Sequence, residues 1–151
     1  FLKKTNYSFK FNHDFKTIIN ACANMKRKHE QGTWISQDIL DGYINLFEQG
    51  SAYCVGVYQD TELVGGLYGV CFGEIISGES MFHTKDNASK FALYQLITAL
   101  KSSNIKWIDT QMVSPLLELF GGKEIPRHEF ITRLGHLSTG NKLRSDIFTL
   151  P

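Results

Sequence analysis

The sequence predicts an α/β (α+β) domain in which a mixed, mostly antiparallel sheet is covered by helices. Its 151 residues are 42% hydrophobic and 21% charged, which suits one domain with its own core. Segments with strand-like alternation of apolar residues are followed by segments with helical spacing. Two apolar runs are separated only by Asp60 and Thr61, which indicates an antiparallel hairpin. Together these patterns predict strands and helices in one layered unit.

The first third of the chain predicts a strand and two helices. Tyr7, Phe9 and Phe11 alternate with polar residues, as in a half-buried strand. Asp14 and Ser36 are the predicted N-caps of the two helices. The apolar faces of these helices are Phe15, Ile18, Ile19 and Cys22, then Ile39, Leu40, Tyr43, Leu46 and Phe47, with Gly50 after the second helix.

The middle of the chain predicts three consecutive antiparallel strands. They cover Ala52–Gln59, Glu62–Phe72 and Glu74–Phe82. Gly65 and Gly66 lie inside the second strand, which indicates a β-bulge, a simple kink of the sheet, or the close approach of another backbone or ligand.

The last part of the chain predicts further helices and one strand. The longest helix ends at Ser102, and Asp86 or Asn87 can accept its first free N–H groups. The other elements are a strand over Ile105–Met112, a short helix over Pro115–Phe120 and a helical piece over His128–Leu134, followed by a loose tail after Gly135. This order is also that of the acyltransferase-type GNAT fold, which is an analogy of fold alone.

Charge and cysteine content exclude several classes of protein. With 16 Lys and Arg residues against 15 Asp and Glu residues, the chain lacks the overall positive charge of a strongly basic nucleic-acid-binding domain. The sequence does not exclude a local basic patch. Cys22, Cys54 and Cys71 have no C-x-x-C spacing, which favours buried thiols and a cytoplasmic location. No apolar run approaches the roughly 20 residues of a membrane helix. The histidine spacing indicates no metal, and no pattern indicates a nucleotide cofactor.

The turn "HTKDNASK" argues against binding of acetyl-CoA. An enzyme of the GNAT fold that uses CoA needs a glycine-rich, basic turn whose N–H groups meet the pyrophosphate. This turn has no glycine, and Asp86 would repel a phosphate.

Three polar side chains occur where their surroundings are apolar. Glu79 follows an apolar strand, so it is either solvated at a sheet edge or held for a polar partner that arrives from outside. Asp109 and Gln111 are two residues apart in a predicted strand and should emerge on one face. The carboxylate can then orient the amide, or the pair is bonded to backbone at a strand end.

Trp34 lies between a basic connection and a helix start. An exposed tryptophan there can stack on a nucleic-acid base, and a core tryptophan is the alternative. Lys26, Arg27 and Lys28 can contact phosphates, or they form a solvated helix end.

Several short stretches together resemble the bacterial leucyl/phenylalanyl-tRNA–protein transferase family over about residues 1–134. They are "GTWI", "LVGGLYGV", "SGESMF", "NASK", "IDTQ" and "GGKEIPR". The resemblance implies a GNAT-like enzyme that moves Leu, and also Phe or Met, from aminoacyl-tRNA to the N-terminal Lys or Arg of acceptor proteins. The new N-terminal residue marks those proteins for degradation. No cofactor is implied.

The resemblance also implies roles for individual residues. Trp34 matches a tryptophan near the terminal adenosine of the tRNA. Glu79, Asp109 and Gln111 match the polar active-site residues, with Asp109 orienting Gln111 and Gln111 positioning the acceptor amine. The matching lining of the aminoacyl side-chain pocket consists of Leu67, Leu93, Leu96, Leu100 and Ile108.

The resemblance divides the chain into a catalytic domain over residues 1–134 and a tail over 135–151. Family members carry an upstream domain with tryptophan-rich motifs, which we expect to be absent here. Two alternative functions stay open: a CoA-dependent N-acyltransferase, and a non-catalytic module that binds N-degrons or other peptides.

Overall fold

The computed structural model describes residues 6–25 and 33–136. The basic connection that contains Lys26, Arg27 and Lys28, and the tail beyond residue 136, lie outside the described residues. In chain order the elements are β1 (Tyr7–Phe11), α1 (Phe15–Ala23), α2 (Gln37–Glu48), β2 (Ala52–Gln59), β3 (Glu62–Phe72), β4 (Ile75–His83), α3 (Ala88–Ser102), α4 (Pro115–Leu119) and α5 (Arg127–His136). The predicted helices and the first four predicted strands are therefore confirmed.

The sheet has the strand order β1-β2-β3-β4, and each neighbouring pair is antiparallel. The β2–β3 hairpin turns at the predicted place, where Asp60 has a φ of 55°. The parallel pairing expected of the predicted mixed sheet is, among the described residues, a single bridge between Ser77 of β4 and Asp109. This bridge lies on the free side of β4 and brings the segment after α3 to the sheet.

The prediction of a strand over Ile105–Met112 is wrong. This segment is irregular apart from the bridge at Asp109. The Asp109 N–H donates to the Ile76 carbonyl at 2.9 Å, and the Gly78 N–H donates to the Asp109 carbonyl at 2.8 Å. Gln111 then has a φ of 59°, a left-handed backbone conformation that cannot continue an extended strand. The segment thus pairs with the sheet at a single bridge, and the backbone then turns away.

Helices cover both faces of the sheet. On one face, α1 and α2 pack against Cys54, Tyr68 and Phe82. On the other face, α3 packs against Val55, Val57, Val64 and Leu67. Two-sided burial explains why the sequences of β2 and β3 are apolar almost throughout instead of alternating.

Two of the alternatives predicted from Gly65 and Gly66, a β-bulge and the close approach of another backbone, are present here. Val57 pairs with Gly65 while Tyr58 pairs with Leu63, so Val64 is the extra residue of a β-bulge. A Cβ at Gly65 would lie 2.6 Å from the Cβ of Ala88. Glycine therefore allows the start of α3 to approach the strand closely.

The predicted side-chain caps of the first three helices are absent from the described hydrogen bonds. Asp14 and Asn87 have φ values of 57° and 65°, whereas a capping side chain requires an extended backbone at that position. The Asp14 carboxylate instead accepts from the Thr17 hydroxyl at 2.7 Å. Ser36 is extended but makes no capping bond, and nothing in the structure explains this. Ser114 caps α4, a cap that the sequence patterns had not indicated.

The burial of side chains follows the predicted helix faces. The α1 residues Phe15, Ile18, Ile19 and Cys22 are buried, and Leu40 is the buried side chain of α2. All three cysteines are buried thiols, as predicted. Within the described ranges, none of the helices has the length and apolar character needed to cross a membrane.

Candidate active site

Glu79 lies in a second β-bulge. Tyr68 pairs with Ser80, whereas the next residue, Gly69, pairs with Gly78, which leaves Glu79 as the extra residue of β4. A bulge changes the direction of the side chains beside it. The unusual position of this carboxylate in the sequence therefore corresponds to an irregularity of the sheet.

Both oxygens of the Glu79 carboxylate accept hydrogen bonds from within the chain. The Tyr43 hydroxyl donates to Oε2 at 2.8 Å, and the Ser77 hydroxyl donates to Oε1 at 2.5 Å. Glu79 is half-buried, so it is neither a solvated edge residue nor a group that depends on an outside partner for all its hydrogen bonds. Neither donor carries a positive charge, so neither forms an ion pair with the carboxylate.

Tyr43 is held in its neutral form. Its burial, the hydrogen bond to Glu79 and the nearby negative charge all raise the pKa of the phenol well above its ordinary value. The hydroxyl is therefore a hydrogen-bond donor to Glu79 throughout the physiological pH range. It is also the link between α2 and β4 at this point.

Asp109 and Gln111 form a tight local turn. The Gln111 backbone N–H donates to Oδ1 of Asp109 at 2.9 Å, the pattern of an Asx-turn. A carboxylate that accepts from the backbone two residues later favours a turn over a continued strand. The predicted backbone-bonded alternative for Asp109 is thus what the structure contains.

The Gln111 amide makes its hydrogen bonds to β4. Its Nε2 donates to the Ser77 hydroxyl at 2.9 Å and lies 3.4 Å from Oε1 of Glu79. The expectation that Asp109 bonds the side-chain amide is wrong in that form, because Asp109 bonds the backbone of Gln111 instead. The left-handed backbone directs the amide toward Glu79, and so Gln111, Asp109 and Glu79 are brought together as predicted.

The residues predicted to line an aminoacyl pocket form one cluster on the α3 side of the sheet. Leu67, Leu93, Leu96 and Leu100 are buried in this core, and the half-buried Ile108 packs against it. The side chains are aliphatic, which suits an apolar guest. Their role in binding stays a prediction.

Two cavities adjoin the segment after α3. The larger, of about 510 Å³, has Ile108, Asp109 and Gln111 in its wall and extends to Phe130 of α5. The smaller, of about 300 Å³, is lined in part by Leu100 and Ile108. Gln111 therefore bonds polar groups of β4 and also lines an open, partly apolar space.

Trp34 reaches the site through an aromatic contact. It is 43% exposed, so the predicted alternative of a core tryptophan is wrong. Its ring lies edge-to-face with that of Tyr43, with 6.5 Å between centroids. The same Tyr43 donates to Glu79, and so an exposed indole and the carboxylate share one neighbour.

The sequence patterns missed two residues of this site, Ser77 and Tyr43. Ser77 is two residues before Glu79, and that spacing in a strand was a signal that the two side chains share a face. Tyr43 was predicted only as part of an apolar helix face. A buried tyrosine usually needs a partner for its hydroxyl, which was the available signal.

No group of three His, Cys, Asp or Glu side chains is arranged to hold a metal ion in residues 6–25 and 33–136. The polar groups of the site are a carboxylate, an amide and hydroxyls. These can bind and orient amines and hydroxyl groups by hydrogen bonds and charge.

Comparison with known proteins identifies close relatives by sequence. The family model described as leucyl/phenylalanyl-tRNA protein transferase matches residues 1–135. A leucyl/phenylalanyl-tRNA–protein transferase of Shewanella pealeana is 43% identical over 93% of this chain, and one of Lawsonia intracellularis is 44% identical over 88%. The chain spans 59% and 58% of the lengths of these relatives.

A solved structure from Clostridium acetobutylicum, described as a predicted acetyltransferase with acetyl-CoA, resembles the fold. The TM-score is 0.55 at 8% identity, and the match covers 80% of this chain and 92% of that chain. At this identity the likeness shows the fold alone. The predicted GNAT-like fold is thereby confirmed.

Proposed function

Because this chain belongs to the leucyl/phenylalanyl-tRNA–protein transferase family, we propose that it transfers an amino acid, Leu and also Phe or Met, from aminoacyl-tRNA to the N-terminal amine of an acceptor protein. The observation that carries the proposal is the convergence of Gln111 and Glu79, whose Nε2 and Oε1 atoms lie 3.4 Å apart, with Gln111 in the wall of a cavity of about 510 Å³. The cytoplasm is where charged tRNA would be available to it.

The proposed chemistry is aminolysis of an ester. The amine nitrogen forms a bond to the aminoacyl carbonyl carbon, and the bond from that carbon to the ribose oxygen of the tRNA breaks. The proton lost by the amine ends on the released ribose hydroxyl. An aminoacyl ester is already activated, so positioning of the two reactants can supply most of the rate enhancement. Gln111 would accept a hydrogen bond from the amine through its carbonyl.

The charge of the site supports a cationic acceptor. The two hydroxyl donors to Glu79, from Tyr43 and Ser77, are uncharged and do not offset a charge on the carboxylate. A carboxylate in a partly buried place attracts an ammonium or guanidinium group strongly. We propose on this basis that acceptors begin with Lys or Arg, and that their modified N-terminus marks them for degradation.

The apolar cluster on the α3 side supports an apolar aminoacyl group. We propose that Leu67, Leu93, Leu96, Leu100 and Ile108 bind its side chain. An aliphatic pocket favours an unbranched Cβ through shape, and discrimination of one methylene is worth about 1–3 kcal/mol. The exposed Trp34 would stack on the terminal adenosine, a contact worth about 1–3 kcal/mol.

The start of α3 disfavours CoA as the acyl donor. Ala88 lies against Gly65, and its N–H donates to the Lys85 carbonyl at 3.2 Å, so it is not available to a phosphate. The turn also exposes Asp86, which would repel a pyrophosphate.

The experiment is a transfer assay on this chain with leucyl-tRNA and a peptide that begins with Lys or Arg, run beside acetyl-CoA. Transfer of leucine to the peptide is the expected result. Acetylation in its place would establish the CoA-dependent alternative, and peptide binding with no transfer would establish a non-catalytic module.

The variant Gln111→Ala tests whether the contact between Gln111 and Glu79 matters for transfer. We expect transfer to fall about tenfold or more, a loss of about 1.4 kcal/mol or more of transition-state stabilisation, with an unchanged circular dichroism spectrum. Gln37→Ala is the matched control, because Gln37 is exposed on α2 and bonds Asp41. Turnover equal to that of the parent chain in Gln111→Ala would remove Gln111 from the mechanism.

A further inference from the structure

We propose that Ser77 is a positioning residue for the transfer reaction, and that its hydroxyl determines which end of the Gln111 amide faces the reactants. The inference rests on the proposed function for its kinetic consequence, whereas its structural part concerns this chain alone. Ser77 touches neither reactant in this proposal and acts through Gln111.

The direction of the hydrogen bonds follows from counting protons. An ionised Glu79 can only accept, so the contact of 2.5 Å between Ser77 Oγ and Oε1 requires the serine proton. A hydroxyl has one proton and two lone pairs. The Ser77 oxygen is therefore left as an acceptor for its other neighbour in the site.

The other neighbour is the Gln111 amide, at 2.9 Å from Ser77 Oγ. Because Ser77 must accept there, the NH₂ end of the amide has to face it. The same NH₂ group points toward Oε1 of Glu79 at 3.4 Å, and reversing the amide would place two acceptors against each other. The carbonyl end is then the end presented to an approaching amine N–H.

The serine itself is held firmly by the sheet. Its backbone carbonyl accepts from the buried Tyr53 hydroxyl at 3.0 Å. A Cβ at Gly69 would lie only 1.9 Å from that carbonyl oxygen, so β3 can lie this close to Ser77 only because residue 69 is glycine. Ser77 also forms the bridge to Asp109, two residues before Gln111. The hydroxyl therefore has a fixed position relative to the turn that carries the amide.

Removing the hydroxyl leaves the side-chain amide of Gln111 with one weaker contact, to Glu79. In Ser77→Ala the NH₂ group can bond Glu79 only at the longer distance, and the amide is free to rotate. If the proposal holds, kcat falls about tenfold because fewer molecules present the carbonyl to the amine. KM for leucyl-tRNA stays within about twofold, because the predicted donor-binding residues are untouched.

The structural test uses the side-chain amide resonances of Gln111, which are assigned by their loss in Gln111→Ala. In Ser77→Ala we expect both amide protons to shift and their exchange with water to accelerate several-fold. Tyr43→Phe is the matched control: it also removes a donor to Glu79 but not the partner of Gln111. We expect the Gln111 resonances to keep their positions in that variant. Unshifted resonances in Ser77→Ala, or equal shifts in both variants, would overturn the inference.

The kinetic test separates this inference from the proposed function. Failure of the parent chain to transfer leucine would refute the proposed function, and the amide resonances would still decide the geometry. Transfer by the parent chain with an unchanged kcat in Ser77→Ala would refute the positioning role alone. A raised KM with unchanged kcat would also contradict it, since that result indicates a binding role.

Discussion

Gln111 combines a strained backbone with a position in the candidate active site. A non-glycine residue with a φ of 59° is uncommon and costs of order 1 kcal/mol or more unless its surroundings compensate. Here the Asp109 carboxylate compensates by accepting from the Gln111 N–H. The result is an amide aimed at Glu79, which an extended strand would not have produced.

This role of Asp109 can be tested by comparing two substitutions. We expect Asp109→Asn to retain the turn, because asparagine also accepts through Oδ1 and is common in such turns. We expect Asp109→Ala to lower the free energy of unfolding by about 1–2 kcal/mol, the value of the lost hydrogen bond and its unsatisfied donor. Urea unfolding of both variants measures this. Equal stability of Asp109→Ala and the parent chain would show that the turn does not need the carboxylate.

At the scale of elements, the β3–β4 pair fixes the site through a close approach of two strands. Gly69 of β3 leaves no space for a Cβ, since such an atom would lie 1.9 Å from the Ser77 carbonyl oxygen and 2.5 Å from the Tyr53 hydroxyl. The next step along the same strand pair is the bulge at Glu79. Gly69 thus pairs with Gly78 of β4, and the bulge follows at the next residue of β4, Glu79.

We therefore expect Gly69→Ala to lower the free energy of unfolding by about 3 kcal/mol or more, because backbone atoms must move to admit the methyl group. Gly42→Ala in α2 is the matched control. No atom lies within 4 Å of its Cβ position, and alanine in a helix interior should stabilise by about 0.5–1 kcal/mol. Thermal or urea unfolding distinguishes the two. A Gly69→Ala variant as stable as the parent would contradict the close approach.

At the scale of the whole molecule, a three-layer arrangement buries groups that ionise at high pH. Burial raises the pKa of the Cys71 thiol from 9.0 to about 11 and that of Cys54 to about 12. For Cys54, backbone hydrogen bonds with His13 and Asn12 lower the pKa, but burial dominates. Folding thus favours the protonated form of both thiols.

Stability should consequently fall as the pH rises above 9. Below that pH both thiols are protonated in the folded and unfolded states, and the stabilisation is fully present. Above it the unfolded chain loses its protons first, so each thiol lowers the free energy of unfolding by up to about 1.4 kcal/mol per pH unit until its folded-state pKa is reached. Urea unfolding at pH 8, 9 and 10 measures the slope.

Cys71→Ala provides the check on this slope. The variant loses some stability at every pH because a buried side chain is shortened, but its further loss between pH 9 and 10 should be smaller than that of the parent chain. A slope identical to that of the parent would show that Cys71 does not contribute. Measurements stay at or below pH 10 because Tyr43 and Tyr53, whose pKa values are also raised, begin to contribute above it.

Local sequence patterns predicted the elements whose cause is local. The helical spacing of Phe15, Ile18, Ile19 and Cys22 and the two-residue turn at Asp60 correspond to α1 and to the β2–β3 hairpin. The patterns failed over Ile105–Met112. There Ile105 is buried in the core and Ile108 packs against it, and a single bridge replaces the strand. Burial and extended pairing have the same apolar signature in a short segment.

The sequence by itself determined the fold class, the family and the presence of Glu79, Asp109 and Gln111 in one site, because short-range spacing and family motifs are written in the chain. Only the tertiary structure decided how these groups bond one another. Asp109 holds a backbone turn, Gln111 bonds Ser77 and Glu79, and Tyr43 of α2 completes the carboxylate's partners. These contacts join residues up to 36 positions apart, and their geometry depends on a bulge and a left-handed residue. Neither feature has a periodic signal in the sequence, because each is set by how separate elements fit together in space.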